Sequence, residues 1–168
     1  MIVREAQRQD SAEVADVCVR SWQVAYRGLF GDDYLDGLRA EDRRAPYTVG
    51  DARPDGPATL VAVLDATVRG FVSTGPSQDE DAAGAGAVYV LYVDPPVWGR
   101  GIGRSLVAEA RARLRRRGFA EAVLWVHAGN DRVQRFYRAD GWQPDGHRRQ
   151  EYVWGVLADE VRYHRRLP

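Results

Sequence analysis

The chain has 168 residues, 24 basic and 24 acidic side chains, and no net formal charge. Balanced charge gives no whole-molecule field to gather nucleic acid, and a hydrophobic share of 45% with 29% charged residues describes an ordinary globular chain. No run of about 18 apolar residues marks a membrane span. The start Met1-Ile-Val-Arg-Glu-Ala lacks a signal-peptide layout, and the lone Cys18 has no internal disulfide partner. The expectation is a cytoplasmic protein with one domain over residues 1–168.

In chain order, Ile2 to Ala6 reads as a first strand. Asp10-Ser-Ala-Glu13 has the form of a capping box, with the Asp10 carboxylate available to the first free N–H groups. Val14, Val17, Cys18, Ser21, Trp22 and Ala25 recur at helical spacing, predicting a helix to about Arg27 that stops at Gly28. A second helical stretch covers about Asp32 to Arg44. Leu60–Leu64 and Val68–Thr74 read as strands joined by a tight turn at Asp65-Ala-Thr67. Gly75 to Gly86 is rich in small and polar residues and reads as a mobile loop whose Asp79-Glu-Asp81 cluster is a solvated face.

Val88 to Leu106 is the most informative segment: a buried strand, a Gly-rich turn, and the first turn of a helix predicted from Gly101 to Arg117. This order leaves backbone N–H groups unpaired at the positive end of a helix dipole, which suits a phosphate. The P-loop requires a Lys, and every basic residue here is Arg. The dinucleotide fingerprint lacks its third Gly, because Gly101-Ile-Gly103 is followed by Arg104-Ser105-Leu106. What remains is Gly99-x-Gly101-x-Gly103. Arg115-Arg-Arg117 before Gly118 reads as a basic end that complements the helix dipole; a sharper reading is attraction for an outer phosphate of the ligand. Ala122–Val126 then reads as a strand, Asn130–Ala139 as a short helix, Gly141-Trp142 as the start of another strand, and Glu160–Leu167 as the closing one.

The Gly99-x-Gly101-x-Gly103 turn resembles the acyl-CoA pyrophosphate loop of the GCN5-related N-acetyltransferase (GNAT) superfamily, written Q/R-x-x-G-x-G/A, with Trp98 at the Q/R position. Leu124-Trp-Val126, Asn130, Phe136-Tyr137 and Gly141-Trp142 resemble that family's second signature, in its order and spacing. The resemblance implies an α/β (α+β) fold: a mixed, strongly twisted sheet of about seven strands with about four helices, splayed between strands four and five.

It further implies acetyl-CoA as co-substrate and transfer of its acetyl group to a primary amine by direct attack, with a small-molecule amine as partner, without nucleic acid or membrane. Many relatives form dimers, so a homodimer is compatible. Leu91 and Val93 would pair with the pantetheine arm, and a main-chain N–H near Val93 would receive the oxyanion. Gly99, Arg100, Gly101, Ile102, Gly103, Arg104 and Ser105 would hold the pyrophosphate, and Asn130 would orient the arm. Tyr137 matches the general acid of many members. The Glu that many relatives place eleven residues before the Q/R position is Ala87 here, so the general base stays open; His127, just past the fifth strand, is a candidate, and Tyr89 and Tyr92 are candidate water-holders. Trp22, Tyr26, Tyr34, Trp154 and Tyr163 are candidate acceptor walls, with Trp22 and Tyr26 foremost. No metal ligands are assigned. The rival readings are a non-catalytic acyl-CoA sensor and a protein N-terminal acetyltransferase.

Overall fold

The computed structural model describes residues 1–43 and 53–168. Among these residues seven strands form one sheet in the order β1-β2-β3-β4-β5-β7-β6. They are β1 (Ile2–Glu5), β2 (Ala58–Leu64), β3 (Thr67–Pro76), β4 (Gly86–Val93), β5 (Glu121–His127), β6 (Gln143–Val153) and β7 (Val156–Arg166). Among the described residues four α-helices cover it: α1 (Ser11–Ala25), α2 (Asp32–Asp36), α3 (Ile102–Arg116) and α4 (Asp131–Ala139). One face carries Val61, Phe71 and Ala158 against Trp22, Phe30 and Leu35 of the α1–α2 segment. The other carries Val72, Val88 and Leu124 against Leu106, Ala110 and Leu114 of α3 and Tyr137 of α4.

The β4–α3–β5 crossover makes β4 and β5 the one parallel pair among the described strands. They pair only over Gly86–Val88 and Ala122–Leu124. Beyond that point the two strands diverge, so the last five residues of β4 have no neighbour on the β5 side. The splay is thus where the resemblance places it.

β4 also changes phase. Its register with β3 shifts between Ser73 paired to Val90 and Thr74 paired to Val88, leaving Tyr89 as an extra residue. This bulge turns Leu91 and Val93 toward the α3 face and Val90 and Tyr92 toward the α1 face. The Asp94 N–H donates to Arg69 O at 2.8 Å, making that opposed pair hydrogen-bonded. By antiparallel alternation, Leu91 and Val93, opposite Val72 and Gly70, aim their N–H and C=O groups away from β3 and into the gap.

Several expectations are corrected. The second helix ends at Asp36, where Gly37 caps it and donates to Asp33 O at 3.1 Å; a separate 3-10 turn follows over Ala40–Arg43, and Arg44 lies outside the described residues. Asp10 does not cap α1. Its carboxylate is held by Arg4 at 2.7 Å and by the Gln7 N–H at 2.7 Å, closing the 3-10 turn before the helix. The closing strand begins at Val156, after a hairpin turn in which Trp154 (φ 53°) and Gly155 (φ 77°) are both left-handed, as a two-residue turn requires.

Glu80 and Asp81 are exposed as expected, whereas Asp79 is drawn in from solvent and both aspartates are paired. The buried guanidinium of Arg162 on β7 bonds Asp79 at 3.1 Å, Asp81 at 2.6 Å and Asp145 at 2.7 Å, tying the β3–β4 loop to the β6–β7 hairpin. Arg162 also pulls the Asp81 carboxyl down to about 2. Arg115, Arg116 and Arg117 bond Pro168 O, Glu109 and Gly56 O. They stand at the far end of α3, about 22 Å from its Gly turn at 1.5 Å per residue, so they do not serve a phosphate bound there.

Candidate active site

The gap between β4 and β5 opens into a cavity of about 1130 Å³ that reaches both sheet faces. This exceeds the usual range of about 300–1,000 Å³ for one small ligand. Leu91, Val93, Gly99, Gly101, Ile102, Gly103, Arg104, Asn130, Tyr137, Trp22 and Tyr26 all line it. Arg100 and Ser105 do not.

On the α3 side, Gly99 (φ 79°) and Gly101 (φ 82°) hold the left-handed conformation the turn needs, and a Cβ on either would meet no protein atom within 4 Å. The first α-helical bond is Ser105 N–H to Gly101 O at 3.0 Å, so the Ser105 amide is spent within the helix. The N–H groups of Ile102, Gly103 and Arg104 precede that bond and remain free to point at a ligand. Ile102 contributes through its main chain, since its side chain is buried. The cradle fits a pyrophosphate: orphan amides, left-handed glycines and an open approach coincide.

The Val93 carbonyl already accepts from Ser21 Oγ at 2.8 Å and Trp98 Nε1 at 2.7 Å. It is therefore not free for a pantetheine amide, while the Val93 N–H and both Leu91 groups remain. Asn130 Oδ1 accepts from the Val133 N–H at 3.2 Å, capping α4, which leaves its amide nitrogen and one lone pair of Oδ1 for a ligand. That cap sets the helix that carries Tyr137.

Tyr137 is 4% exposed, with its ring edge-on to Phe136 and Trp142. Burial pushes its phenol far above the usual range, with Tyr26 and Asp140 adding to the effect. The phenol thus keeps its proton at every ordinary pH.

On the α1 side, Trp22, Tyr26 and Phe30 form an aromatic wall, with ring centroids 4.7 Å (Trp22–Tyr26) and 5.0 Å (Tyr26–Phe30) apart. Burial pushes Tyr26 up to about 12, against a hydrogen bond with Tyr92 that lowers it. Trp22 itself is 1% exposed and serves mainly as packing. Tyr34 and Trp154 lie off the cavity wall: the Tyr34 hydroxyl donates to Trp154 O at 2.6 Å. Tyr163 is fully buried on the opposite face and donates to Gln134 at 2.9 Å, so it is no acceptor wall.

Ala87 lines the cavity and offers no proton acceptor. His127 Nδ1 accepts from the Gly129 N–H at 2.9 Å, so its neutral form carries the proton on Nε2. Burial also lowers its basicity. The ring is placed to donate, not to take a proton.

Sequence reasoning missed Glu160. It stands directly opposite His127 across β5 and β7, lines the cavity, and pairs with Arg149 at 2.9 Å. Arg149 in turn lies over the Trp125 ring at 4.2 Å, and Trp125 Nε1 donates to Asp79 at 2.9 Å. The alternation Ala158, Glu160, Arg162 on β7 was the available signal, but alternating charge reads equally as a solvated strand face.

A splayed β4–β5 pair with a glycine phosphate turn at one mouth and a separate aromatic pocket at the other defines an acyl-CoA-dependent transferase. The sequence profile described as "Acetyltransferase (GNAT) family" matches residues 18–142. The chain belongs to that family. It is 30% identical over 138 residues to the uncharacterized N-acetyltransferase YuaI of Bacillus subtilis, covering 82% of this chain and 77% of that protein. It is 23% identical over 145 residues to a spermidine N(1)-acetyltransferase of Thermoplasma acidophilum, covering 84% of this chain and 87% of the relative. The fold matches that of YncA from Salmonella typhimurium, solved with acetyl-CoA, at a TM-score of 0.73 and 21% identity, covering 100% and 94% of the two chains. The chain is an N-acetyltransferase with acetyl-CoA as co-substrate.

Proposed function

We propose that the chain, acting as one domain, acetylates a small-molecule primary amine in the cytoplasm by direct attack. The observation that carries this reading is the cavity that passes through the sheet, with a phosphate turn on one face and aromatic rings with a carboxylate on the other. The spermidine acetyltransferase among the relatives supports a small amine as acceptor. Cys18, the lone thiol, is fully buried in α1, which favours a route without an acyl-enzyme and fits a reducing compartment.

Acetyl-CoA, when bound, supplies a thioester carbonyl and a thiolate leaving group. Leu91 would pair with the pantetheine arm through its free N–H and C=O, as an added strand does. The Val93 N–H faces the gap where the carbonyl oxygen gains charge. Glu160 would draw in the acceptor's ammonium form, with Tyr26 and Tyr92 beside it. Glu160 is engaged with Arg149 at 2.9 Å, and the ammonium proton leaves to water in the acceptor mouth before the neutral amine attacks. Tyr137 gives its phenolic proton to the departing sulfur, the acylated nitrogen releases its second proton to solvent, and Tyr137 regains one from solvent.

The test is release of free thiol from acetyl-CoA against a panel of diamines, polyamines, amino acids and N-terminal peptides, with Glu160→Gln beside the wild type. Turnover of a small amine, with a KM raised in Glu160→Gln, is the expected result. Turnover of peptides alone would overturn the small-molecule acceptor, and an unchanged KM would remove Glu160 from its site.

A further inference from the structure

The family pattern has a Gln or Arg where this chain has Trp98, and an indole carries no charge to offer a phosphate. The structure shows what Trp98 does instead. Its Nε1 donates to Val93 O at 2.7 Å, tying the phosphate turn to the end of β4. That bond presents the ring face outward, and the Arg132 guanidinium lies over it, Cζ 3.6 Å from the ring centroid. Arg132 is the second residue of α4, so the cation reaches the turn from a different element than the pattern would supply.

Three observations set Arg132 apart from a surface arginine stacked by chance. It lines the same cavity as Gly99, Gly101, Gly103 and Arg104, at the mouth where the free amides of α3 point. Among the described residues it has no carboxylate within 4.0 Å, whereas Arg111, Arg149 and Arg162 each have one at 3.0 Å or less. Its neighbours also desolvate it enough to disfavour the charged form, with no anion to offset that cost. A guanidinium held face-on to an indole keeps its N–H edge directed outward and in plane, the geometry that grips phosphate oxygens in pairs.

We infer that Arg132, set in place by Trp98, is a phosphate anchor of the coenzyme site and supplies, beside Arg104, the charge that an indole at position 98 cannot. The basic triplet at the far end of α3 is engaged elsewhere, which leaves this side of the cavity to Arg132 and Arg104. The chemistry recognised is a phosphate ester dianion or a pyrophosphate; both occur on coenzyme A.

Calorimetric binding of three ligands to the whole chain separates the cases: CoA, dephospho-CoA lacking the 3′-phosphate, and acetyl-pantetheine lacking every phosphate. Arg132→Gln keeps a planar, polar side chain and removes the charge at an exposed position. It should raise the Kd for CoA about tenfold, the loss of one charge-assisted phosphate contact, and leave acetyl-pantetheine unchanged. Equal weakening of CoA and dephospho-CoA would assign Arg132 to the pyrophosphate; weakening of CoA alone would assign it to the 3′-phosphate. The slope of log Kd against log salt should become shallower in the variant, and Arg132→Lys, which keeps the charge but loses the stacked planar fork, should recover only part of the affinity. A change below twofold for CoA, or an equal loss for acetyl-pantetheine, would overturn the anchor and leave the stack as packing.

Discussion

Replacing Arg162 by Met removes the cation that joins the β3–β4 loop to the β6–β7 hairpin. The guanidinium is 4% exposed, and its partners Asp79, Asp145 and Asp81 have side-chain exposures of 16%, 23% and 52%. Breaking a fully buried ion pair costs about 3–5 kcal/mol because a charge is left uncompensated. Water can reach Asp81 and, in part, Asp145, so roughly 2–3 kcal/mol is the better figure. For a chain of this size that lowers Tm by about 5–10 °C.

The pH dependence gives a sharper signature. Arg162 holds the Asp81 carboxyl below its ordinary value; at Asp145 burial opposes the shift, and the His147 backbone N–H and then Arg162 bring the carboxyl below its ordinary value. Depressed carboxyls contribute stability that is present above about pH 4, the unfolded value, and lost as pH falls toward about 2. The gap in Tm between wild type and Arg162→Met should therefore be widest near neutrality and narrow on acidification. Differential scanning calorimetry from about pH 7 down to about pH 3 reads both effects. A loss below about 1 kcal/mol, the range of surface pairs, or a gap that does not narrow in acid, would refute the reasoning.

Tyr137→Phe should lower kcat about tenfold or more with the Kd for CoA nearly unchanged, and Tm should hold because the hydroxyl has no hydrogen-bond partner among the described residues; stopped thiol-release assays beside calorimetry check this. Gly101→Val forces a β-branched residue to φ 82° while meeting no protein atom, so the fold should survive with a strained turn, and CoA binding should weaken more than tenfold, roughly 1.4 kcal/mol or more. Tyr26 is held up to about 12, so the folded state keeps its proton when the unfolded chain gives one up at about pH 10; stability should fall as pH rises between these values, and Tyr26→Phe should flatten that fall in urea midpoints.

The glycine turn was legible because its demands are local. Left-handed φ at Gly99 and Gly101 and free amides ahead of Ser105 follow from a strand, a short glycine turn and a helix in that order. The splay between β4 and β5 came from the family resemblance, and the bulge at Tyr89 that aims Leu91 and Val93 into it left no mark in the apolar run Val88–Val93. Pairings across long separations were not legible. Asp79 and Asp81 looked solvated because their partner, Arg162, lies on the last strand. Glu160 and Arg149 belong to no motif, and period-two charge does not say whether that side of a strand meets water or a pocket. Trp98 read only as a departure from the motif, and the cation that lies over its ring comes from α4, outside the motif.

The central claim is that the unpaired edge of β4 holds the acyl arm and sets the thioester beside Tyr137. A crystal structure with acetyl-CoA tests it most directly. The account predicts the pantetheine arm bonded to the Leu91 N–H and C=O, the acetyl oxygen at the Val93 N–H, and the Tyr137 hydroxyl within hydrogen-bond reach of the sulfur. A pantetheine arm that leaves the Leu91 groups unpaired, or a sulfur out of reach of Tyr137, would contradict it.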